Sequence, residues 1–66
     1  MINGDRVREL RQKKGASQYQ MAKDSDLFQP IINRIEAGKN PNPNIKTIQK
    51  IAKYFGVKIE DLLISE

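Results

Sequence analysis

The segment Ser17-Gln18-Tyr19-Gln20-Met21-Ala22-Lys23-Asp24-Ser25-Asp26-Leu27-Phe28-Gln29-Pro30-Ile31-Ile32-Asn33-Arg34-Ile35-Glu36-Ala37-Gly38 holds two short helix signals with about four residues between them. Ser17 followed three residues later by Gln20 is a capping box, in which the serine hydroxyl accepts from an orphan amide and the glutamine reaches back to the helix start. A helix is therefore expected over about 17–25, with Met21 and Ala22 turned inward. The polar stretch from Lys23 to Asp26 ends it, because short polar side chains compete for local backbone groups. The next helix has two possible starts. Asp26 with Gln29 can cap it, or Gln29 can be the cap with Pro30 at the first helical position, where a missing amide costs nothing. The second arrangement is preferred and gives a helix over about 29–37. Ile32 and Ile35 then face inward with Ile31 alongside, and Gly38 supplies the left-handed residue that commonly closes a helix.

Outward from this pair, Ile2, Val7 and Leu10 recur at helical spacing among Arg6, Arg8, Glu9 and Arg11 until Gly15, which predicts a first helix over about 3–14. Lys39 to Pro43 holds two prolines and two asparagines, a loop no helix can cross. Asn44 caps the clearest amphipathic pattern, about 45–55, with Ile45, Ile48, Ile51, Ala52 and Phe55 on one face and Lys46, Gln49, Lys50 and Lys53 on the other. Gly56 ends it. A last helix is expected over about 59–64, with Glu60 and Asp61 in the first turn, where the helix dipole favours negative charge, and Leu62 and Leu63 behind them. The expected fold is all-α: five short helices and no strand in a single domain, 1–66, without repeat, low-complexity tract or separating linker.

Composition narrows what such a domain can do. A chain of 66 residues has one core, and 38% hydrophobic residues are too many for a disordered tail. With no cysteine and no histidine, disulfides, thiolate or imidazole metal sites, cysteine nucleophiles and histidine-based triads are removed together. The close acidic groupings are Glu9 beside Arg11, Asp24 with Asp26, and Glu60 with Asp61; a chain this small offers no concave pocket to make them a catalytic pair. Asp24 and Asp26 lack the turn glycine and closing glutamate of a calcium loop, and Gly15 and Gly38 are isolated rather than part of a phosphate-cradling loop. A non-enzyme with no metal and no cofactor is expected. Twelve Lys and Arg against eight Asp and Glu give a net charge of +4, which favours an anionic partner, nucleic acid or an anionic membrane surface. The longest apolar run, Leu62 to Ile64, falls far short of the roughly 20 residues of a membrane span. Met1-Ile2-Asn3-Gly4-Asp5 lacks the apolar core of a signal peptide, so a cytoplasmic location is expected.

Two features rise above this background. If Ile32 and Ile35 are packed inside, Gln29, Asn33 and Arg34 form an outward strip whose amide and guanidinium groups match the donor and acceptor edges of adenine and guanine. From composition alone a merely solvated helix face is an equal alternative. Groups able to hold phosphates lie nearby in sequence: Ser17 and Gln18 at a helix N-terminus, where unpaired amides and the dipole favour anions, and Lys39, Asn40 and Asn42 beyond the strip.

Val7-Arg8-Glu9-Leu10-Arg11, Ser17-Gln18, Met21-Ala22, Ile32-Asn33-Arg34-Ile35-Glu36-Ala37-Gly38-Lys39, Pro43, Ile51-Ala52-Lys53, Gly56-Val57 and Glu60-Asp61-Leu62-Leu63 together resemble the lambda-repressor-like, Cro/Xre-type helix-turn-helix family. The ordered spacing of the whole set, over nearly the entire chain, carries the resemblance. It implies a compact five-helix DNA-binding domain in which the second and third helices form the helix-turn-helix. The third would enter the major groove, and a homodimer would read a near-palindromic operator. It also implies that Arg11 pairs with Glu36, tying the first helix to the third. Three departures stand out. Ser25 and Asp26 replace the usual leucine and glycine of the turn, with Leu27 or Phe28 expected to fill the gap, and Phe28 replaces the usual Ser or Thr cap. Pro30 sits where the family often offers a polar base contact and can give only an apolar one, such as to a thymine methyl.

The resulting expectation is a DNA-binding transcriptional regulator, a repressor that occludes its promoter. An antitoxin or a restriction-modification controller would use the same domain, with a regulatory partner protein in some of these settings. A basic protein-interaction adaptor and a cationic membrane-surface helix are the alternatives of other classes. A single reading helix covers only a few base pairs and competes poorly with non-specific sites, so pairing of two copies is expected. Ile59, Leu62, Leu63 and Ile64 offer more apolar surface than one short helix turns inward, and Ile59 and Leu63 are the expected dimer contacts. Packing of all four within the monomer is the alternative.

Overall fold

Asn3 opens the first helix, its Oδ1 accepting from the Arg6 amide at 3.1 Å, and α1 runs Gly4–Lys13 in the computed structural model, which describes residues 1–64. Ser65 and Glu66, the end of the expected 1–66 domain, lie outside the described residues. Helix α2 (Gln18–Ser25) is capped by Ser17, whose Oγ accepts from the Gln20 amide at 3.0 Å. Only this half of the anticipated capping box forms. The Gln20 side chain turns forward instead, its Nε2 donating to the Asp24 carboxylate Oδ2 one turn ahead at 2.9 Å, a charge-assisted bond. The turn that follows carries Asp26 in the left-handed region, φ 60°, which its short polar side chain tolerates better than most.

Helix α3 (Gln29–Glu36) starts one residue earlier than expected. Phe28 holds the cap position with no side-chain hydrogen bond, and Pro30 is the second helical residue rather than the first; its missing amide would be unpaired at either place. Of the two residues expected to compensate for Ser25, Leu27 packs partly against the core, whereas Phe28 is 76% exposed. Ser25 itself is buried and donates its hydroxyl to the Met21 carbonyl at 2.6 Å. Asn44 Oδ1 accepts from the Thr47 amide at 2.9 Å to open α4 (Ile45–Phe55), which ends on Gly56 in the left-handed region.

The chain end departs from the five-helix expectation. Among the described residues there are four α-helices and one 3-10 turn, Ile59–Leu62, after which the backbone extends. Leu63 makes an isolated antiparallel bridge to Ile2, the Asn3 amide donates to the Leu62 carbonyl at 2.7 Å, and the Ile64 amide donates to the Met1 carbonyl at 2.9 Å. Pairing with the N-terminal segment therefore takes the backbone groups that a fifth α-helix would have used internally. The Ile2 amide is also spent, on the Pro41 carbonyl at 2.8 Å. These bonds clamp both chain ends and the loop after α3 together.

Val7, Met21, Ala22, Ile32, Ile35, Ile48, Ile51, Ala52 and Leu62 form one buried cluster with Ile2. Two apolar assignments change. Ile45 is 56% exposed, since it is the first residue of α4 and lies beyond the edge of the core. Ile59 is half-buried against the core rather than outside it. In a 3-10 turn, positions three apart lie over one another, so Ile59 follows Leu62 inward. No helix among the described residues is long and apolar enough to cross a membrane.

Candidate nucleic-acid interface

Helix α3 is held against α1 by ion pairs to Glu36, a long one from Arg8 (Nε to Oε1, 3.9 Å) and a close one from Arg11. Arg11 Nε donates to Glu36 Oε2 at 2.7 Å and Arg11 Nη2 to Glu36 Oε1 at 2.9 Å, a bidentate arrangement whose two side chains are only 14% and 3% exposed. Such planar pairing adds geometric specificity to energy. The remaining Arg11 Nη1 donates to the Ala16 carbonyl at 2.9 Å, so the same side chain also fixes the entry to α2. The hydrogen bond Arg11 donates to Glu36, together with the charge of Glu36, outweighs desolvation and raises the Arg11 pKa above its ordinary value. Arg8, one turn before Arg11, donates to the Glu36 backbone carbonyl at 2.7 Å and closes the C-terminal end of α3. Its role was not singled out in the sequence, although its position three residues before Arg11 puts both on one face of α1.

With Ile32 and Ile35 buried, Gln29, Pro30, Asn33 and Arg34 stand exposed on the opposite side of α3. Together with Gln18 of α2 they line a single shallow, open concavity. Gln18 joins the two helices at this surface. Its Nε2 lies 3.3 Å from Glu36 Oε1, and its Oε1 accepts from Asn33 Nδ2 at 3.3 Å. Sequence reasoning treated Gln18 only as a phosphate anchor; the link to Asn33 depends on how α2 and α3 cross, which no local signal encodes.

The other anchor candidates fall into two groups. Ser17 is exposed at the start of α2, but its hydroxyl oxygen already caps the Gln20 amide. An α-helix leaves its first amides without intrahelical partners, so the Gln18 and Tyr19 N–H groups remain the anion-facing ones at this end. The Lys39 and Asn40 amides both donate to the Arg34 carbonyl, at 2.8 and 3.3 Å, which places these residues at the C-terminal end of the strip. Lys39 and Asn42 are exposed and Asn40 is half-buried. No contact ties Asn42 to the strip among the described residues. Nor do the described residues hold any group of three or more Asp, Glu, His or Cys placed to bind a metal ion.

Two helices crossing at a tight turn, the second exposing amide and guanidinium groups and pinned to α1 by a buried ion pair, define a helix-turn-helix domain. Residues 7–62 match the helix-turn-helix family, and the chain belongs to it, in its Cro/Xre type. It is 38% identical over 64 residues to the control protein C.BamHI of Bacillus amyloliquefaciens, covering 96% of this chain and 78% of that one. A transcriptional regulator of this type from Coxiella burnetii is 43% identical over 47 residues, 71% of this chain. The crystal structure of the restriction-modification controller protein C.AhdI from Aeromonas hydrophila superimposes with a TM-score of 0.83 at 33% identity, covering 91% of this chain and 89% of that one. The chain spans 22% and 45% of the length of two of its curated relatives, so the matched region also occurs within longer proteins.

Proposed function

We propose that this protein is a sequence-specific, double-stranded DNA-binding transcriptional regulator that binds a near-palindromic operator as a homodimer and represses by occluding the promoter. The observation that carries the reading is the single exposed surface formed by Gln18, Gln29, Pro30, Asn33 and Arg34. It combines amide and guanidinium donors suited to base edges with an amide-rich helix start suited to phosphate. Asn33 and Arg34 address bases by hydrogen bonds, Gln29 at the helix start does the same, and Pro30 offers an apolar contact. Ser17, Gln18, Lys39, Asn40 and Asn42 are assigned to the backbone on either side. The net charge of +4 supports an anionic partner. In this role the protein acts without catalysis and resides with the DNA in the cytoplasm.

A second reading, the controller of a restriction-modification system, is favoured by near full-length similarity to two control proteins, with 78% and 89% of their chains covered. It uses the same surface and differs in the genes it serves. Leu63, with Ile64 and Met1 beside it, is the exposed apolar surface assigned to the dimer, with half-buried Ile59 at its edge.

Enrichment from a pool of randomised duplexes, followed by binding isotherms at several salt concentrations, tests the proposal. A two-fold symmetric consensus is expected, with affinity falling steeply and linearly in log salt. Recovery of no consensus, with equal affinity for all duplexes, would remove sequence-specific reading.

A further inference from the structure

We propose that Lys50 of α4 is a positioning residue for the reading helix: it locks the left-handed turn at Asp26 and so sets how α3 sits against α2. The inference rests on the DNA-reading function proposed above and deepens it by naming a residue that controls specificity from outside the reading strip. Asp26 is the one non-glycine residue with a positive φ among the described residues, 60°, and it lies between the end of α2 and the start of α3. Its short polar side chain makes that conformation tolerable, not favourable, because the Cβ still crowds the backbone. The local backbone hydrogen bonds do not span the turn. The Asp26 and Leu27 amides both donate to the Ala22 carbonyl and so belong to α2, whereas the Ile31 and Ile32 amides donate to the Phe28 carbonyl and belong to α3. Phe28 brings no capping side chain that would fix the start of α3.

Lys50 supplies the missing tie. Its Nζ donates to the Asp26 carbonyl oxygen at 3.1 Å and lies 3.4 Å from Asp26 Oδ2, so one ammonium holds the backbone and the side chain of the same residue. A peptide that rotated out of the left-handed region would swing this carbonyl away from it. The Asp26 carboxylate is 95% exposed, so water screens its attraction and the carbonyl bond is the firmer half of the grip. The base from which Lys50 reaches is rigid: its chain neighbours Ile48 and Ile51 are buried, and α4 is closed by Asn44 at one end and Gly56 at the other. The turn is thereby tied to a third helix. A recognition surface discriminates only while its supporting contacts hold it to within a fraction of an ångström. Gln18 at the start of α2 and Arg34 on α3 stand on either side of this turn in the chain, so a turn that leaves its conformation uncouples the grip on phosphates from the register of base reading.

The test compares wild type, Lys50→Met, Lys53→Met, Asp26→Gly and the Lys50→Met, Asp26→Gly double variant on the operator enriched from randomised duplexes and on scrambled DNA. Lys53 is exposed on the same helix and makes no hydrogen bond to the turn among the described residues, so Lys53→Met changes the net charge equally and leaves the tie in place. The ratio of operator to scrambled affinity should fall about threefold to fivefold in Lys50→Met, the size of one exposed polar tie, and stay at the wild-type value in Lys53→Met. Glycine enters the left-handed region without strain, so Lys50→Met should change the ratio little in the Asp26→Gly background. An equal fall in Lys50→Met and Lys53→Met, or the same fall with and without Asp26→Gly, would overturn the proposal. A wild type that prefers no sequence would instead sink the DNA-reading function. In the free protein, hydrogen exchange at the Asp26 and Leu27 amides should quicken in Lys50→Met and not in Lys53→Met; unchanged exchange would contradict the tie.

Discussion

Glu36 receives two hydrogen bonds from Arg11 and one from Gln18 while its side chain is 3% exposed, so removing one partner would strand a desolvated charge. Arg11→Met or Glu36→Gln is accordingly expected to cost about 3 to 5 kcal/mol, far more than the exposed Arg6–Glu9 pair, which contributes at most about 1 kcal/mol. Denaturant melts of both single variants and the double variant measure the coupling, and a coupling near zero would show the pair to be dispensable. The raised Arg11 pKa also fixes a sign. A cation whose folded pKa lies above its unfolded value contributes stability that is complete below the unfolded pKa and is lost as pH rises through the folded one. The Arg11 side of the pair should therefore contribute the same stability across neutral pH and lose it in strong alkali. At this scale the sequence was readable where a residue type dictates its own local bond, as with the Ser17 and Asn44 caps. The Gln18 links were not readable, because their partners lie 15 and 18 positions away.

The elements themselves show where periodicity suffices. Helix α4 follows its apolar spacing from Asn44 to Gly56, and α1 and α2 end within a residue or two of their sequence signals. Two boundaries escaped. The start of α3 lacks a capping side chain, so no local hydrogen bond marks Phe28 rather than Gln29 as its cap. The final segment has helix-like apolar spacing, yet pairing of Leu63 with Ile2 draws it into a 3-10 turn and an extended end. Helix α1 also approaches α3 more closely than its sequence foretells. A Cβ at Gly4 would overlap the Ile35 backbone carbonyl oxygen, a group that cannot swing aside. Gly4→Ala should therefore destabilise by about 1 to 3 kcal/mol despite the better helix propensity of alanine. A thermal melt at or above the wild-type midpoint would contradict this tight crossing.

For the whole molecule, the single reading helix proposed, on a domain with principal extents of 30 × 21 × 19 Å, would cover little of an operator, and a two-fold pairing would set two such helices about 34 Å apart, one DNA turn. Leu63→Asp places a charge on the exposed apolar end without disturbing the buried cluster. Sedimentation with a palindromic duplex should show two protein chains per site for wild type and weakened pairing for the variant. A one-to-one complex with full half-site affinity would contradict pairing. The central claim, that the exposed face of α3 reads sequence while the loop beyond it only holds the backbone, is tested most directly by comparing Arg34→Ala with Lys39→Ala on the enriched operator and on scrambled DNA over a range of salt. Arg34→Ala should lose about 1 to 3 kcal/mol on the operator alone, whereas Lys39→Ala should weaken both duplexes alike and flatten the salt slope by about one unit. Equal losses on both duplexes for Arg34→Ala would contradict the account.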